Sequence, residues 1–303
     1  MSDPRSRAER RQRPVRRSEL TCPAHSAKMM AKAAASQADE VIFDLEDACA
    51  PSQKEGARAT LIEALRTLDF GGKVRAYRVN DTRSRYFYRD LIEVVEAAGA
   101  FVDAVVVPKV DEPLDVQLVD RLLTQIEEAR GLPVGRIAIE ALIESAAGVQ
   151  NVDAIARSSP RLESLIFGIA DYAGDVGARG LPEGDEQWTT YHYPKARILA
   201  AARAAGIDAL DNVTVKYKDL PQCRADAERG ARMGFDGKWA VHPDQAPLIN
   251  AAYTPTDEEV ARARRIVEAY QRADRAEGLG AITIDDEMVD AATLRVEHKK
   301  LRI

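Results

Sequence analysis

Short hydrophobic runs alternate along the chain with longer stretches in which hydrophobic residues recur at helical spacing. Several runs are continuous in Val, Ile and Leu, which is typical of strands buried on both faces of a parallel sheet. The predicted strands are Glu19–Cys22, Glu40–Leu45, Val74–Val79, Ala104–Pro108, Arg136–Ile143, Leu162–Gly168, Ile207–Leu210 and Lys238–Val241. The predicted helices between them are Gln53–Leu68, Tyr86–Ala98, Val116–Arg130, Tyr193–Ala205 and Gln222–Met233.

This alternation predicts the fold class. Eight strands separated by helices within about 235 residues favour a closed (β/α)8 barrel of the α/β class, the TIM barrel, over a doubly wound open sheet. We expect the barrel to occupy residues 17–252. No internal repeat accompanies the alternation of elements.

After the last predicted strand the pattern changes. Thr256 and Asp257 can cap a long helix, Glu258–Arg275. A glycine-containing break, the short apolar stretch Ala281–Ile284 and a helix-like tail follow. Residues 253–303 are therefore expected to form an appendage outside the barrel.

The composition is that of an ordinary globular protein, with 46% hydrophobic and 30% charged residues and a net charge of −6. The negative charge argues against nucleic acid as the main partner, because phosphate-binding domains usually carry a basic excess. No apolar run approaches the roughly 18 residues of a membrane span. The three cysteines have no metal-binding spacing and favour a reducing compartment. We therefore expect a cytoplasmic protein without nucleic-acid or membrane partners.

The amino terminus is rich in arginine. Seven arginines lie in the first 17 residues: Arg5, Arg7, Arg10, Arg11, Arg13, Arg16 and Arg17. We interpret residues 1–16 as a disordered basic tail. A targeting segment or a contact with a polyanion is the alternative, and Asp3 and Glu9 argue against a transit peptide.

Polar residues follow the ends of the predicted strands, where (β/α)8 barrels carry their active sites. They are Asp44, Glu46, Asp47, Arg78, Asn80, Lys109, Glu144, Asp171, Asp211 and His242. Glu144 and Asp171 follow neighbouring strands and are suited to binding Mg²⁺, which prefers one or two carboxylates. Arg78 can bind a carboxylate or stabilise an enolate. For any single acid, helix capping or a loop salt bridge is the alternative interpretation.

Two other strand-end residues admit more than one interpretation. A desolvated Lys109 can form a Schiff base with a carbonyl substrate, or it can pair with a loop acid. His242 can act as a base or a ligand, although ordering of the turn after the last strand is the favoured interpretation. The dinucleotide-binding, P-loop and serine-hydrolase motifs are absent from the sequence, so those functions have no local support.

Eight segments in a fixed order resemble one known family. They are Arg17-Ser18-Glu19-Leu20, Phe43-Asp44-Leu45-Glu46-Asp47-Ala48, Arg78-Val79-Asn80, Val107-Pro108-Lys109-Val110, Ile143-Glu144-Ser145-Ala146-Ala147-Gly148, Phe167-Gly168-Ile169-Ala170-Asp171-Tyr172, Gly234-Phe235-Asp236-Gly237-Lys238-Trp239-Ala240-Val241-His242-Pro243 and Met288-Val289-Asp290. The chain resembles the citrate lyase β-subunit-like family of CoA-ester lyases, the HpcH/HpaI aldolases. Within that family it is similar to malyl-CoA and β-methylmalyl-CoA lyases, over nearly its whole length.

The resemblance implies a role for each matching residue. Glu144 and Asp171 correspond to Mg²⁺ ligands, and Arg78 to the arginine that stabilises the enolate and contacts the coenzyme A (CoA) ester. Asp290 corresponds to a catalytic aspartate supplied to a neighbouring subunit. The residues implied to surround the metal and substrate are Asp44, Glu46, Asp47, Gly168, Ile169 and Ala170. The residues implied to lie near the CoA are Arg17, Lys32 and Arg78.

The resemblance also implies an activity. It is Mg²⁺-dependent retro-aldol cleavage of L-malyl-CoA or β-methylmalyl-CoA, with Mn²⁺ able to substitute, to give glyoxylate and acetyl-CoA or propionyl-CoA. The reverse condensation, a homotrimer or homohexamer, and a C-terminal helical lid follow from the same resemblance. The alternatives are a citramalyl-CoA lyase, a citrate lyase β-subunit acting on a citryl thioester, a thioester-hydrolysing variant and a non-enzymatic scaffold.

Three segments depart from the malyl-CoA lyase pattern. The segment 211–219 replaces a Gly/Pro/Phe-rich one, the loop Gly180–Thr190 is short, and 285–287 lacks a common glycine. The first two are expected to border the acyl pocket or the CoA path, and the third is expected to alter a turn of the lid.

Overall fold

The computed structural model describes residues 15–277 and 280–301. Residues 1–14, which make up most of the predicted basic tail, lie outside the described residues, as does Gly278 in the predicted break. The chain divides into two compact units, Met1–Asn250 and Ala251–Ile303. Among the described residues, the longest helices are too polar to cross a membrane.

The first unit contains a closed barrel of eight parallel strands. They are β1 Ser18–Pro23, β2 Glu40–Asp44, β3 Val74–Arg78, β4 Ala104–Val107, β5 Ala138–Ile143, β6 Leu162–Phe167, β7 Asp208–Asp211 and β8 Gly237–Ala240. Each strand pairs with the next in the chain, and β1 pairs with β8 to close the ring. The predicted (β/α)8 barrel is confirmed, and all eight predicted strands are present.

Helices surround the strands and continue into the second unit. They are α1 Ala27–Ala34, α2 Lys54–Thr67, α3 Phe87–Ala98, α4 Pro113–Arg130, α5 Ala146–Ile155, α6 Ile169–Asp175, α7 Gly184–Thr190, α8 His192–Ala205, α9 Leu220–Met233, α10 Ala246–Tyr253, α11 Asp257–Glu277 and α12 Ala291–Lys300. The segment Gly180–Thr190, interpreted from the sequence as a short loop, contains α7. That interpretation was wrong for residues 184–190.

Local sequence signals set several helix boundaries. The Ser145 hydroxyl accepts a hydrogen bond from the Gly148 N–H and caps α5, and the Asp219 carboxylate caps α9 in the same way. Helices α4 and α8 end on Gly131 and Gly206, whose φ angles of 66° and 72° are left-handed. These caps fix where α4, α5, α8 and α9 begin or end.

Side chains from the strands fill the barrel. The buried interior cluster consists of Ile42, Ala76, Ala104, Val106, Ala138, Leu142, Ile166, Leu210 and Trp239. Strand residues alternate between the interior and the helix layer, so residues two positions from these also face inward. Towards the amino ends of the strands the inward residues include Glu40 and Glu140. Glu40 lies two positions before Ile42, and Glu140 lies two positions before Leu142.

Arg16 corrects the prediction for the tail. Although the sequence assigns it to the disordered residues 1–16, its side chain is buried at the amino-terminal end of the barrel. Its guanidinium forms ion pairs with Glu40, Glu140 and Glu163 at 3.0, 3.2 and 2.9 Å. Three buried carboxylates therefore fix this residue ahead of β1.

The second unit combines helices with a β-hairpin. Strands β9 (Ala281–Ile284) and β10 (Glu287–Asp290) are antiparallel and lie between α11 and α12. Their two-residue turn, Asp285-Asp286, has φ angles of 51° and 63°, a conformation that aspartate tolerates better than most residues. The appendage is thus not purely helical, and its turn forms without the glycine that is common in the family.

Candidate active site at the carboxyl end of the barrel

A paired Asp44 and Arg78 lie at the ends of adjacent strands β2 and β3. Arg78 Nε and Nη2 donate to the two Asp44 oxygens at 2.8 and 2.5 Å. The N–H groups of Glu46 and Ala48 donate to the same carboxylate. Burial alone would raise the pKa of Asp44, but Arg78 and these N–H groups hold it below its ordinary value. Asp44 is therefore an ionised anchor that fixes the guanidinium plane.

Glu46 extends this pair into a chain of charges. It accepts from Arg78 Nη1 at 3.1 Å and from Lys109 Nζ at 2.5 Å. Asp47 is exposed and lies 3.7 Å from the same ammonium group. Burial outweighs these cations and raises the pKa of Glu46. The β2 and β4 ends are thus joined across the mouth of the barrel by alternating charges.

A buried lysine supports the loop after β2. Lys54 Nζ donates to the carbonyls of Leu45 and Glu46 at 3.0 and 2.7 Å and to Asn80 Oδ1 at 2.5 Å. Asn80 Nδ2 donates in turn to Leu45 O and to Asp90. Because the loop carbonyls are satisfied from the α2 and β3 sides, the Glu46 backbone has a fixed position.

Glu144 follows β5 directly and is only 3% exposed. Its Oε1 accepts the Lys109 N–H at 2.9 Å, from a lysine with a left-handed φ of 52°. The pKa of Glu144 is raised to about 8: burial and the charges of Asp171 and Glu46 raise it, and Arg78 partly offsets them. The ionised form of Glu144, buried beside Asp171 and Glu46, would be stabilised by a cation placed between Glu144 and Asp171.

Asp171 provides the second carboxylate. It lies in the first turn of α6, after Gly168, Ile169 and Ala170, and is half-buried. Within residues 15–277 and 280–301 its side chain makes no hydrogen bond or ion pair, although its charge acts on both Glu144 and Lys109. The carboxylates of Glu144 and Asp171 are oxygen donors of the kind that bind a hard cation such as Mg²⁺.

Trp239 lies beneath this group of charges. Its ring belongs to the interior cluster, and the Arg78 guanidinium lies 5.5 Å from the ring centroid. The contact provides a cation–π interaction and an apolar floor below the guanidinium. Arg78 is thus held by Asp44 at its edge and by Trp239 at its face.

The ends of β7 and β8 have mainly structural roles. Lys195 Nζ donates to Asp211 at 2.6 Å, both fully buried, and its ammonium lies 3.7 Å from the Trp188 ring centroid. His242 accepts from the Asp244 N–H, caps a short 3₁₀ helix and stacks on Tyr217. The favoured interpretation of His242, ordering of the turn, agrees with these contacts.

The structure does not bring every predicted site residue together. Arg17 precedes β1, at the end of the barrel opposite the mouth, and forms a bidentate pair with Asp39. Its assignment to the CoA site is therefore not supported. Lys32 is exposed in the last turn of α1. Asp290 ends β10 in the second unit, where its Oδ1 accepts the Ala292 and Thr293 N–H groups at 2.9 Å and caps α12.

Three supporting residues were not predicted from the sequence. Lys54 lies within a predicted helix, and only its place ten residues after Asp44 hints at a contact with that strand end. Trp239 was quoted as part of a motif without a role. Lys195 had no signal, because one lysine on a helix is ordinarily solvated.

Sequence and structure comparisons relate the chain to known proteins. The HpcH/HpaI aldolase/citrate lyase family model matches residues 17–243. The chain is 39% identical to the L-malyl-CoA/β-methylmalyl-CoA lyase of Cereibacter sphaeroides, over 92% of this chain and 91% of that protein. It is 33% identical to the citrate lyase β-subunit of Leuconostoc mesenteroides, over 91% and 89%. Mycobacterium tuberculosis CitE, solved with magnesium, acetoacetate and coenzyme A, has a TM-score of 0.78 and 30% identity, over 96% and 98%.

Proposed function

The chain belongs to the HpcH/HpaI aldolase/citrate lyase family, and we propose that it is a Mg²⁺-dependent carbon–carbon lyase acting on a short β-hydroxyacyl-CoA. The proposed substrates are L-malyl-CoA and β-methylmalyl-CoA, cleaved to glyoxylate and acetyl-CoA or propionyl-CoA. The observation that carries the proposal is the placement of Glu144 and Asp171 beside Arg78 at one barrel mouth. The named activity of the 39% identical relative supports the choice of substrate.

We assign Glu144 and Asp171 to the metal. Their carboxylates are the oxygen donors that Mg²⁺ prefers, and the Lys109 N–H orients Glu144. Mg²⁺ bound there would supply Lewis-acid polarisation of the substrate's oxygens. The crystal structure of a 30% identical relative with magnesium supports this assignment.

We assign Arg78 to the thioester. In the cleavage direction the substrate hydroxyl would lose its proton to a solvent water. The carbon–carbon bond would then break, so that the alkoxide becomes the aldehyde of glyoxylate and the acyl part leaves as an enolate. The Arg78 guanidinium, already oriented by Asp44 and Trp239, stabilises the charge on the enolate oxygen. Because the guanidinium needs no reorientation, it stabilises the enolate as the negative charge forms.

We assign Asp290 to proton transfer at carbon. It protonates the enolate carbon in cleavage, and in condensation it removes the α-proton of the thioester. We further propose that a neighbouring subunit supplies it, within a homotrimer or homohexamer. We also propose that the enzyme acts in the cytoplasm; its three cysteines are buried and free of disulfides.

Lys109 does not have the properties of a Schiff-base nucleophile. Burial lowers its pKa, but the hydrogen bond that Lys109 donates to Glu46 and the charges of Glu46, Asp47 and Asp171 raise it well above its ordinary value. The amine is therefore held protonated, and a protonated amine cannot attack a carbonyl. We instead propose that Lys109 orients Glu144 and Glu46.

Product analysis with purified protein tests the proposal. We expect glyoxylate and acetyl-CoA from L-malyl-CoA with Mg²⁺, and no products with EDTA. Parallel reactions with citramalyl-CoA and a citryl thioester would give pyruvate and oxaloacetate, respectively. The citrate lyase β-subunit relative makes the last of these the second candidate. If the enzyme cleaves another ester but neither malyl-CoA nor β-methylmalyl-CoA, the substrate assignment is overturned.

A further inference from the structure

Three buried glutamates meet inside the barrel at the end opposite the mouth. Glu19, Glu40 and Glu140, on β1, β2 and β5, are fully buried, and one carboxylate oxygen from each lies within 4.8 Å of the others. Glu19 pairs in register with Glu40 on one side and with Trp239 on the other, so it shares the inward face of the strands. The three side chains thus converge on one interior point.

The cluster concentrates buried acidic groups at one point. Arg16 is paired with Glu40 and Glu140, and also with Glu163 outside the triad. The Arg16 guanidinium therefore contacts three carboxylates, two of them in the triad. Burial, followed by the charges of the other glutamates, raises the pKa of Glu19 and Glu40 well above its ordinary value. A cation bound beside Glu19 and Glu40 would stabilise their ionised forms.

Unpaired polar atoms face the same space. The Ser164 hydroxyl is fully buried and, among the described residues, has no hydrogen-bond partner. Ser164 lies opposite Glu140 in the β5–β6 register, two residues before the inward-facing Ile166, so its side chain points into the barrel beside that glutamate. Both Glu19 oxygens likewise lack a hydrogen-bond partner within the described ranges. Buried polar groups are ordinarily satisfied, so these atoms point to a ligand.

We propose that this cluster binds one hard divalent cation of the size of Ca²⁺, separate from the metal of the active site. Its ligands would be Glu19, Glu40 and Glu140, with Ser164 as a fourth oxygen donor. Oxygens bound to Ca²⁺ at about 2.4 Å stand up to about 4.8 Å apart across the ion, whereas for Mg²⁺ the limit is about 4.2 Å. The carboxylate oxygens of the triad lie within 4.8 Å of one another, a separation that Ca²⁺ can span.

The position of the cluster makes this cation slow to exchange. Arg16 closes the amino-terminal end, and Trp239 with the interior cluster lies on the side of the mouth. A chelator in solution removes an active-site metal through the open mouth, but it reaches the interior cation only when the barrel opens. The two metals are therefore distinguishable by their rates of removal.

Metal analysis of the full-length protein tests the proposal. The protein is warmed with CaCl₂ to a few degrees below its unfolding midpoint, cooled, dialysed against EGTA and analysed for metals. We expect about one Ca²⁺ per chain in wild type and in Asp171→Asn, and at least tenfold less in Glu19→Gln. Glu63→Gln, a change of an exposed glutamate, is the matched control and should match wild type.

Two further measurements keep the test decisive. Circular dichroism establishes that Glu19→Gln is folded; if it is not, Ser164→Ala replaces it, with an expected tenfold loss of retained Ca²⁺. Calcium loading should also raise the melting temperature of wild type, Asp171→Asn and Glu63→Gln, but not that of Glu19→Gln. Folded wild type that retains no divalent cation, or a folded Glu19→Gln that retains as much as wild type, overturns the proposal in favour of protons and water.

Discussion

Gly168 leaves the Glu144 side chain the space that it occupies. A Cβ atom on residue 168 would lie 2.5 Å from the Cβ of Glu144, closer than real Cβ atoms approach one another. The backbone at Gly168, with φ −97° and ψ 90°, is open to any residue. The glycine is thus required by the neighbouring carboxylate and not by its own conformation.

Gly168→Ala is expected to impair the metal site without unfolding the barrel. The methyl group would displace Glu144 and weaken Mg²⁺ binding by roughly ten- to a hundredfold, the range for disturbed ligand orientation. Gly174→Ala is the matched control, because it lies six residues away in α6 with nothing within 4 Å of the added Cβ. Calorimetric titration with Mg²⁺ compares the two, and equal affinities would contradict the steric role of Gly168.

The affinity for Mg²⁺ should depend on pH through Glu144. Its pKa is raised to about 8, so a proton competes with the metal at neutral pH. The apparent dissociation constant is expected to rise about tenfold for each unit that the pH falls below about 8. Titrations between pH 6 and 9 measure this slope. If Glu144→Gln shows the same pH dependence of the dissociation constant as wild type, the competing proton belongs to another group.

The same group should make the metal-free protein less stable at higher pH. The folded pKa of about 8 exceeds the ordinary value of 4.5, so the folded state binds the extra proton between these values. Its contribution to stability is complete below pH 4.5 and is lost as the pH rises through 8. In EDTA, the melting temperature of wild type should therefore fall across this window relative to Glu144→Gln. Saturating Mg²⁺ should remove the difference.

Arg78→Lys should separate charge from geometry. Lysine keeps the positive charge but cannot form the bidentate pair with Asp44. We expect kcat to fall by about 10²–10³, the range for losing one preorganised donor to an oxyanion. Arg75→Lys, three residues earlier on β3 and paired with Asp103, is the control and should keep its activity. Equal activities would remove Arg78 from the chemistry.

Lys109 should resist trapping as a Schiff base. Borohydride added with glyoxylate is expected to leave Lys109 unmodified in peptide mass spectra, because its amine is held protonated by Glu46. Lys109→Met controls for glyoxylate reacting with surface lysines and should show the same background. A reduced adduct on Lys109, together with activity in EDTA, would establish the aldolase alternative instead.

Asp290→Asn should isolate proton transfer from helix capping, since asparagine is also a good N-cap. We expect loss of α-proton exchange from acetyl-CoA with unchanged Mg²⁺ binding. Mixing this variant with Asp171→Asn should restore about a quarter of wild-type activity if each site draws on two subunits, because half of the sites have Asp171 and half of those have a neighbour with Asp290. Mixed oligomers without activity would place both residues in one subunit.

The barrel could be predicted from the sequence because its strands are short, apolar and evenly spaced. The strand ends were predicted slightly too long, at residues such as Leu45, Val79 and Gly168. The N–H groups of these three residues still donate to carbonyls of the neighbouring strand, those of Arg78, Val106 and Ile143. Hydrogen bonding between the strands therefore continues one residue beyond the regular strand.

Other elements left too weak a signal. Helices α5 and α6 are short and rich in Ala and Gly, with no clear apolar stripe. The hairpin of β9 and β10 turns on Asp285-Asp286 in place of a glycine. Strand-end acids could be predicted as a site because barrel topology gathers them, whereas the contacts of Lys54 and Trp239 depend on packing that spacing does not encode.

The charged network at the mouth is confined to the ends of β2 to β6, and the ends of β7 and β8 are fixed separately by buried contacts. The Lys195–Asp211 pair and the Lys238 ammonium on the Asn212 carbonyl secure the strand that leads into residues 213–219. The segment that follows β7 can therefore vary in sequence while the charged network at the ends of β2 to β6 is kept. Grafting the 213–219 loop of a relative onto this chain should change which acyl group is accepted and leave its metal requirement intact.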